Sequence, residues 1–247
     1  MSTEKIYQAV IKVAVKSHAE SPLKTHLDIG AGSGRLIQLF HENFGVTSSA
    51  CDYTDSLMEL PGHKVDVVNL NHERLPYPDA SFDVVTATEV IEHLENYREI
   101  LREIYRVLKN TGVCILSTPN ILNINSRIRY LYFGFSDLFG PLPVANRKLH
   151  LSAGHISPVS YFYLTHALLE ANFSSVSLSF DKYQRSGMAK LILLYLPIKA
   201  FGRMAFKREI SKYHGIDESN MGLVKSMNSV GMLLGRTIIV TAKKANL

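Results

Sequence analysis

His26-Leu27-Asp28-Ile29-Gly30-Ala31-Gly32-Ser33-Gly34 is the stretch that decides the fold. Leu27 and Ile29 flank Asp28, and residues 25–29 read as a short strand. Glycines follow at alternate positions. Leu36, Ile37, Leu39 and Phe40 then take helical spacing over 33–43. Strand, glycine turn and helix together make a cradle for a nucleotide-type ligand. Glycine lets the backbone turn tightly and come close to a ligand. A helix N-terminus offers free N–H groups and the positive end of its dipole. An acidic residue closing the next strand would take ribose hydroxyls. Asp52 stands there, after a second strand read over 46–51 and 22 positions past Gly30, close to the ~20 expected of such a partner.

Outward from this centre, 65–70, 81–86 and 113–117 read as strands and 97–108 as a helix. Alternation at so short an interval predicts a parallel sheet with helices on both faces. A helix over 3–17 precedes it. Beyond 117 the pattern loosens. Residues 158–171 read as a helix, 173–180 as a strand and 233–242 as a final strand. The expected organisation is a single domain over 1–247. It carries an aromatic-rich insertion at 121–154 on the acceptor side and a basic, partly apolar one at 184–230, where Pro197 is expected to break or kink any helix.

Hydrophobic content of 46% and charged content of 20% over 247 residues suit one soluble α/β domain with a full core. Cys51 and Cys114 sit in apolar runs, so buried reduced thiols are expected, which excludes a cysteine-based zinc framework and fits a cytoplasmic location. No run approaches the roughly 20 apolar residues that span a bilayer. Charge is uneven. Residues 1–181 hold 15 Lys and Arg against 19 Asp and Glu, whereas 182–247 hold 12 against 3. A basic last quarter suits an anionic partner or a solvated surface. Peripheral membrane contact through 188–208 and a lid helix packed on the domain are the two readings of its apolar part.

A dinucleotide loop would carry glycine at position 35, where this chain has Arg35. Asp28-x-Gly30-x-Gly32-x-Gly34 instead resembles motif I of class I S-adenosylmethionine-dependent methyltransferases, within the methyltransferase type 11 and ubiquinone-biosynthesis O-methyltransferase-like group. Residues 75–83, Leu-Pro-Tyr-Pro-Asp-Ala-Ser-Phe-Asp, and 106–112, Arg-Val-Leu-Lys-Asn-Thr-Gly, are similar to further blocks of that family. The resemblance implies a Rossmann-like three-layer α/β sandwich, its mostly parallel seven-stranded sheet ending in an antiparallel last strand. It implies S-adenosylmethionine as cofactor. Asp28, Gly30, Ala31, Gly32 and Gly34 would hold the methionine end, with Glu89 nearby. Asp52 and Tyr53 would hold the ribose, and Asn69 and Leu70 the adenine. Asn69 departs from the family's usual aspartate, although an amide oxygen can accept the same bond.

Residues 88–94, Thr-Glu-Val-Ile-Glu-His-Leu, follow the fourth strand. If helical, Glu89, Glu92 and His93 share one face. Three readings stand: a plain helix start, His93 as a general base, or a divalent-metal site completed by His150 or His155. His155, in Gly154-His155 before Pro158, is the better match to the family. His93 and His155 are the candidate catalytic residues. The expected function is O-methylation of a small molecule, a glycan or a lipid-linked intermediate. RNA 2′-O-methylation is the second reading, weakened by the acidic first 181 residues and the lack of an RNA-binding module. A non-catalytic binding protein on the cofactor fold is the third.

Overall fold

A computed structural model describes residues 3–143, 145 and 154–245. Among them one seven-stranded sheet runs in the order β3-β2-β1-β4-β5-β7-β6. The strands are β1 (Thr25–Ile29), β2 (Thr47–Asp52), β3 (Val65–Val67), β4 (Phe82–Thr88), β5 (Leu108–Pro119), β6 (Phe173–Phe180) and β7 (Thr237–Lys244). The first five pair in parallel, and β7 lies antiparallel between β5 and β6. This is the doubly wound α/β sandwich with one reversed strand that the motifs imply.

Period-2 alternation sorts the side chains onto two faces. Leu27, Ile29, Val85, Ala87, Cys114 and Leu116 pack against helices α3 (Tyr97–Val107) and α5 (Tyr161–Glu170). Val84, Val113, Ile115 and Ile239 pack against α1 (Glu4–Glu20) and α2 (Arg35–Phe44). Helix α3 places Ile100, Leu101, Ile104 and Val107 on one buried stripe. Cys51 and Cys114 are buried free thiols.

Several boundaries differ from the sequence reading, each for a physical reason. The third strand stops at Val67, because Asn69 turns the chain: its carbonyl accepts from the amides of His72 and Glu73. The turn at 110–112 is carried inside β5 as an irregularity. Leu108 pairs with Phe82 and Val113 with Val84, so the excess residues loop out around Thr111, at φ +66°. The final strand starts at Thr237, since 230–234 form the short helix α8 (Val230–Leu234), whose Ser229 cap accepts from the Met232 amide.

Within the two expected insertions, helix α4 (Ile124–Phe133) follows β5, capped by the Asn123 side chain. Helix α6 (Arg185–Arg208) continues through Pro197, so of the expected break or kink the break does not occur. A proline removes one backbone donor; here the helix is held on both sides of it by packing. Leu191, Leu194 and Ile198 join Ile124, Ile128, Leu233 and Leu234 in one cluster. Helix α7 (Met221–Ser226) leads into α8.

Candidate cofactor and catalytic site

Parallel strands bring their C-terminal ends to one edge of the sheet, where ligands bind in open α/β folds. Ile29 is level with Cys51 and Ala87, and Thr88 with Ser117. Gly30, Asp52, Glu89 and the start of the 90–94 segment therefore gather at that edge.

The glycine loop is tied to the end of β2. Gly30 and Ala31 donate to the Cys51 carbonyl at 2.8 and 3.3 Å. Gly32 N donates to Asp52 Oδ2 at 2.9 Å, and Tyr53 N to Asp52 Oδ1 at 2.7 Å. Asp52 thus shapes the loop as well as closing β2, a role spacing alone did not suggest. Gly30 has φ +70°, and a Cβ there would meet Val90 Cγ2 at 2.5 Å. Gly32 has φ +51°, and a Cβ there would meet nothing within 4 Å. So Gly30 is filled in by the protein, while the space over Gly32 is open. Tyr53 stands 65% exposed beside Asp52. Asn69 is exposed and its Oδ1 accepts from Asn71 N at 3.1 Å within its own turn, beside the half-buried Leu70.

Asp28 is buried under the loop. Burial, together with the Asp52 charge and against a hydrogen bond from Thr86, pushes its pKa up to about 7. Behind it lies a polar chain across three strands. His26 Nδ1 meets Ser48 Oγ at 3.0 Å, His26 Nε2 meets Thr86 Oγ1 at 2.8 Å, and Thr86 Oγ1 donates to Asp28 Oδ1 at 2.7 Å. Thr86 spends its one proton on Asp28, so His26 Nε2 must donate to it and Nδ1 must accept from Ser48. Burial holds the His26 pKa down to about 3, which keeps the ring neutral, and it stacks on Phe40 at 3.9 Å. The sequence reading missed this chain. Its signal was available: His26 and Asp28 are two apart and so share a face, in a strand otherwise apolar.

Proton uptake by Asp28 has a measurable consequence. If this carboxylate faces a ligand's ammonium, cofactor affinity rises as the pH passes upward through about 7, because only the ionised form attracts the cation. Asp28→Asn should flatten that profile and weaken binding roughly 10- to 100-fold, as expected for a lost charge-assisted contact of about 1.5–3 kcal/mol. Calorimetric titration with S-adenosylmethionine between pH 6 and 8.5 checks both; the same slope in the variant would remove Asp28 from the role.

Beyond β4 the chain makes one 3-10 turn, Ile91–His93, and not the α-helix on which the shared-face reading depended. Glu89 is left-handed at φ +57°, with its N–H donating to Ser117. Glu89, Glu92 and His93 are therefore not one helical stripe. Burial pushes both carboxyls up. Glu92 stands well above the usual range through burial and the Glu89 charge, opposed by the Thr118 hydroxyl. Glu92 is fully buried, and neither of its oxygens meets hydrogen-bond geometry with any described residue.

The structure brings His93 and His155 together. The Glu92 carbonyl accepts from Ile156 N and Ser157 N, both at 2.9 Å, and Leu94 O accepts from Ser157 Oγ. His93 Nδ1 lies 3.0 Å from Gly154 O and His155 Nδ1 2.8 Å from Leu138 O. A carbonyl only accepts, so both Nδ1 atoms carry hydrogen and both Nε2 atoms keep a lone pair. Burial lowers both pKa values, which keeps the rings neutral at pH 7. The rings pack edge to face at 4.8 Å. One ligand atom each from Glu92, His93 and His155 lie within 4.8 Å of one another. His150 lies outside the described residues. Asn120, just past β5, is a buried clamp: its Nδ2 donates to Met232 O and Gly235 O.

Comparison with known proteins agrees with this geometry. The family profile described as a methyltransferase domain matches residues 27–116. A probable S-adenosylmethionine-dependent methyltransferase of Mycobacterium tuberculosis is 47% identical over 57 residues, 23% of this chain and 21% of that protein. A ubiquinone/menaquinone biosynthesis C-methyltransferase of Desulfotalea psychrophila is 25% identical over 65% of this chain and 64% of its own length. A demethylmenaquinone methyltransferase of Listeria welshimeri is 37% identical over 46% and 55%. The chain spans less than two thirds of these curated relatives. Among solved structures, a SAM-dependent methyltransferase from Archaeoglobus fulgidus superposes with a TM-score of 0.57 at 17% identity, covering 96% of this chain and 94% of that one, which supports the fold. These matches make the chain similar to S-adenosylmethionine-dependent methyltransferases, with the methyltransferase-domain profile covering residues 27–116.

Proposed function

We propose that this chain methylates a hydroxyl oxygen of a small molecule, a glycan or a lipid-linked intermediate, using S-adenosylmethionine. The observation that carries the reading is the His93–His155 pair, whose Nε2 lone pairs meet no hydrogen-bond partner among the described residues, with His93 on the segment that follows β4 at the cofactor edge. The open cradle over Gly32 suits a ligand's close approach, and Asp28 beneath it suits an ammonium group. The cofactor supplies a methyl group already activated on a sulfonium. The protein's part is to align the acceptor and take its proton. Gly30, Ala31, Gly32, Gly34 and Asp28 would hold the methionine end. Asp52 and Tyr53 would take the ribose, Asn69 and Leu70 the adenine, with Glu89 at the margin. A labelled-methyl transfer screen against phenol, glycan and lipid pools tests the reading. Two relatives are named for quinone biosynthesis, so quinone precursors belong in that panel. No transfer to any hydroxyl, with transfer to a ring carbon or an amine, would overturn O-methylation.

A second reading rests on Glu92. The buried Glu92 carboxyl, whose oxygens meet no hydrogen-bond geometry among the described residues, would on losing its proton make with two imidazole lone pairs a donor set for a divalent ion, each Nδ1–H being oriented by a carbonyl as ligating histidines require. EDTA should then abolish transfer and a divalent ion restore it. Under the proton-acceptor reading, EDTA leaves turnover unchanged.

A further inference from the structure

We infer that the outward face of α6, with the last turn of α4 beside it, is a docking surface for an anionic lipid bilayer. Helix α6 is anchored on one side by Gly187, Leu191, Leu194 and Ile198, which face α4 and α8. The opposite side holds large apolar side chains in solvent. Ile192 is 79% exposed, Leu193 77% and Leu196 76%, with Met204 further along. An ordinary soluble surface scatters such residues singly; here they fall on consecutive turns. Where α4 ends, Tyr130, Leu131, Tyr132 and Phe133 are exposed together.

Charge selects the occupant. Residues 182–208 contain no Asp or Glu, while Lys182, Arg185, Lys190, Lys199, Arg203, Lys207 and Arg208 fall within them. At the helical 100° per residue, Arg185, Arg203 and Lys207 lie in the same angular sector as Ile192 and Leu196, at the two ends of the apolar run. Arg129 adds a cation on α4. Apolar side chains seated among cations, with no acid between, match the boundary between acyl chains and anionic headgroups. A second copy of this chain would present the same cations to themselves. No helix among the described residues is long and apolar enough to cross a membrane, so the contact lies in the plane of the interface. The inference stands apart from the methylation reading, which cofactor binding tests separately.

The test is co-sedimentation of the full chain with vesicles of phosphatidylcholine and phosphatidylglycerol at 7:3, and of phosphatidylcholine alone. Binding to the anionic vesicles should be at least about tenfold stronger, since each basic residue near such a surface contributes about 1 kcal/mol. It should fall steeply with added salt. The double variant Leu193→Glu/Leu196→Glu should lose vesicle binding while keeping the wild-type melting temperature and S-adenosylmethionine affinity, because both side chains stand in solvent. Failure of the wild type to bind anionic vesicles at low salt overturns the inference. So does equal binding by the double variant. Vesicle-free dimerisation that the double variant abolishes would assign the face to a second copy instead.

Discussion

Gly30→Ala is expected to lower stability by about 2–5 kcal/mol, the sum of a left-handed backbone penalty of roughly 1–2 kcal/mol and an overpacking term of roughly 1–3 kcal/mol. Both arise at one atom: φ is +70°, and the new Cβ would stand 2.5 Å from Val90 Cγ2. Val90 is buried and starts the turn that carries Glu92 and His93, so the clash is transmitted to that turn. For a chain of this length the melting temperature should drop by roughly 5–15 °C. Gly32→Ala is the informative partner. It has the backbone penalty without the clash, so it should cost only about 1–2 kcal/mol. Its methyl group would occupy the open cradle and weaken S-adenosylmethionine binding. Thermal melts with calorimetric titration separate the two. Gly30→Ala melting like the native protein, or Gly32→Ala binding as tightly, would show that the loop geometry is misassigned.

His93→Ala and His155→Ala should each reduce turnover about 10²- to 10⁴-fold, the usual range for a lost general base, with cofactor affinity near normal. The double variant should be little worse than either single one if the pair acts as a unit. Since burial holds both pKa values below the ordinary imidazole value, the neutral, proton-accepting form survives into mild acid. Turnover should therefore stay level down to below pH 6.5 and then fall as the rings protonate. Single-turnover kinetics over pH 5–8 measure this. Unchanged turnover in both single variants would leave the two rings as packing only.

Much of the cofactor edge was legible in the sequence because its determinants are local. Asp28 through Gly34 fix a strand end, a turn and a helix start within nine residues, and Asp52 follows at a fixed interval. The two faces of the sheet followed from alternation. What stayed hidden was tertiary. Helix α4 carries exposed Tyr130, Leu131 and Tyr132 on no single stripe, so periodicity could not reveal it. Helix α6 persists through Pro197 because of the cluster with Leu233 and Leu234, more than thirty positions away in sequence. The His93–His155 contact spans 62 positions and depends on Ile156 and Ser157 pairing with Glu92. A helix through Glu89 was one conditional reading of 88–94; its amide is instead held by Ser117 on the neighbouring strand, with the backbone left-handed there. The full burial of the Glu92 carboxyl is a property of its surroundings and has no sequence signal.

The position of β7 constrains how the molecule can be made. Synthesis runs from the N-terminus, and Thr237–Lys244 comes after every other strand, yet it sits between β5 and β6. Until it emerges, β5 and β6 face an empty slot, each with an unpaired edge of the kind that recruits other chains. Buried Ile238, Ile239 and Val240 then close both core layers at once. A nascent chain halted before residue 237 would thus hold its cofactor loop intact beside two sticky edges, a species suited to chaperone capture and not to function.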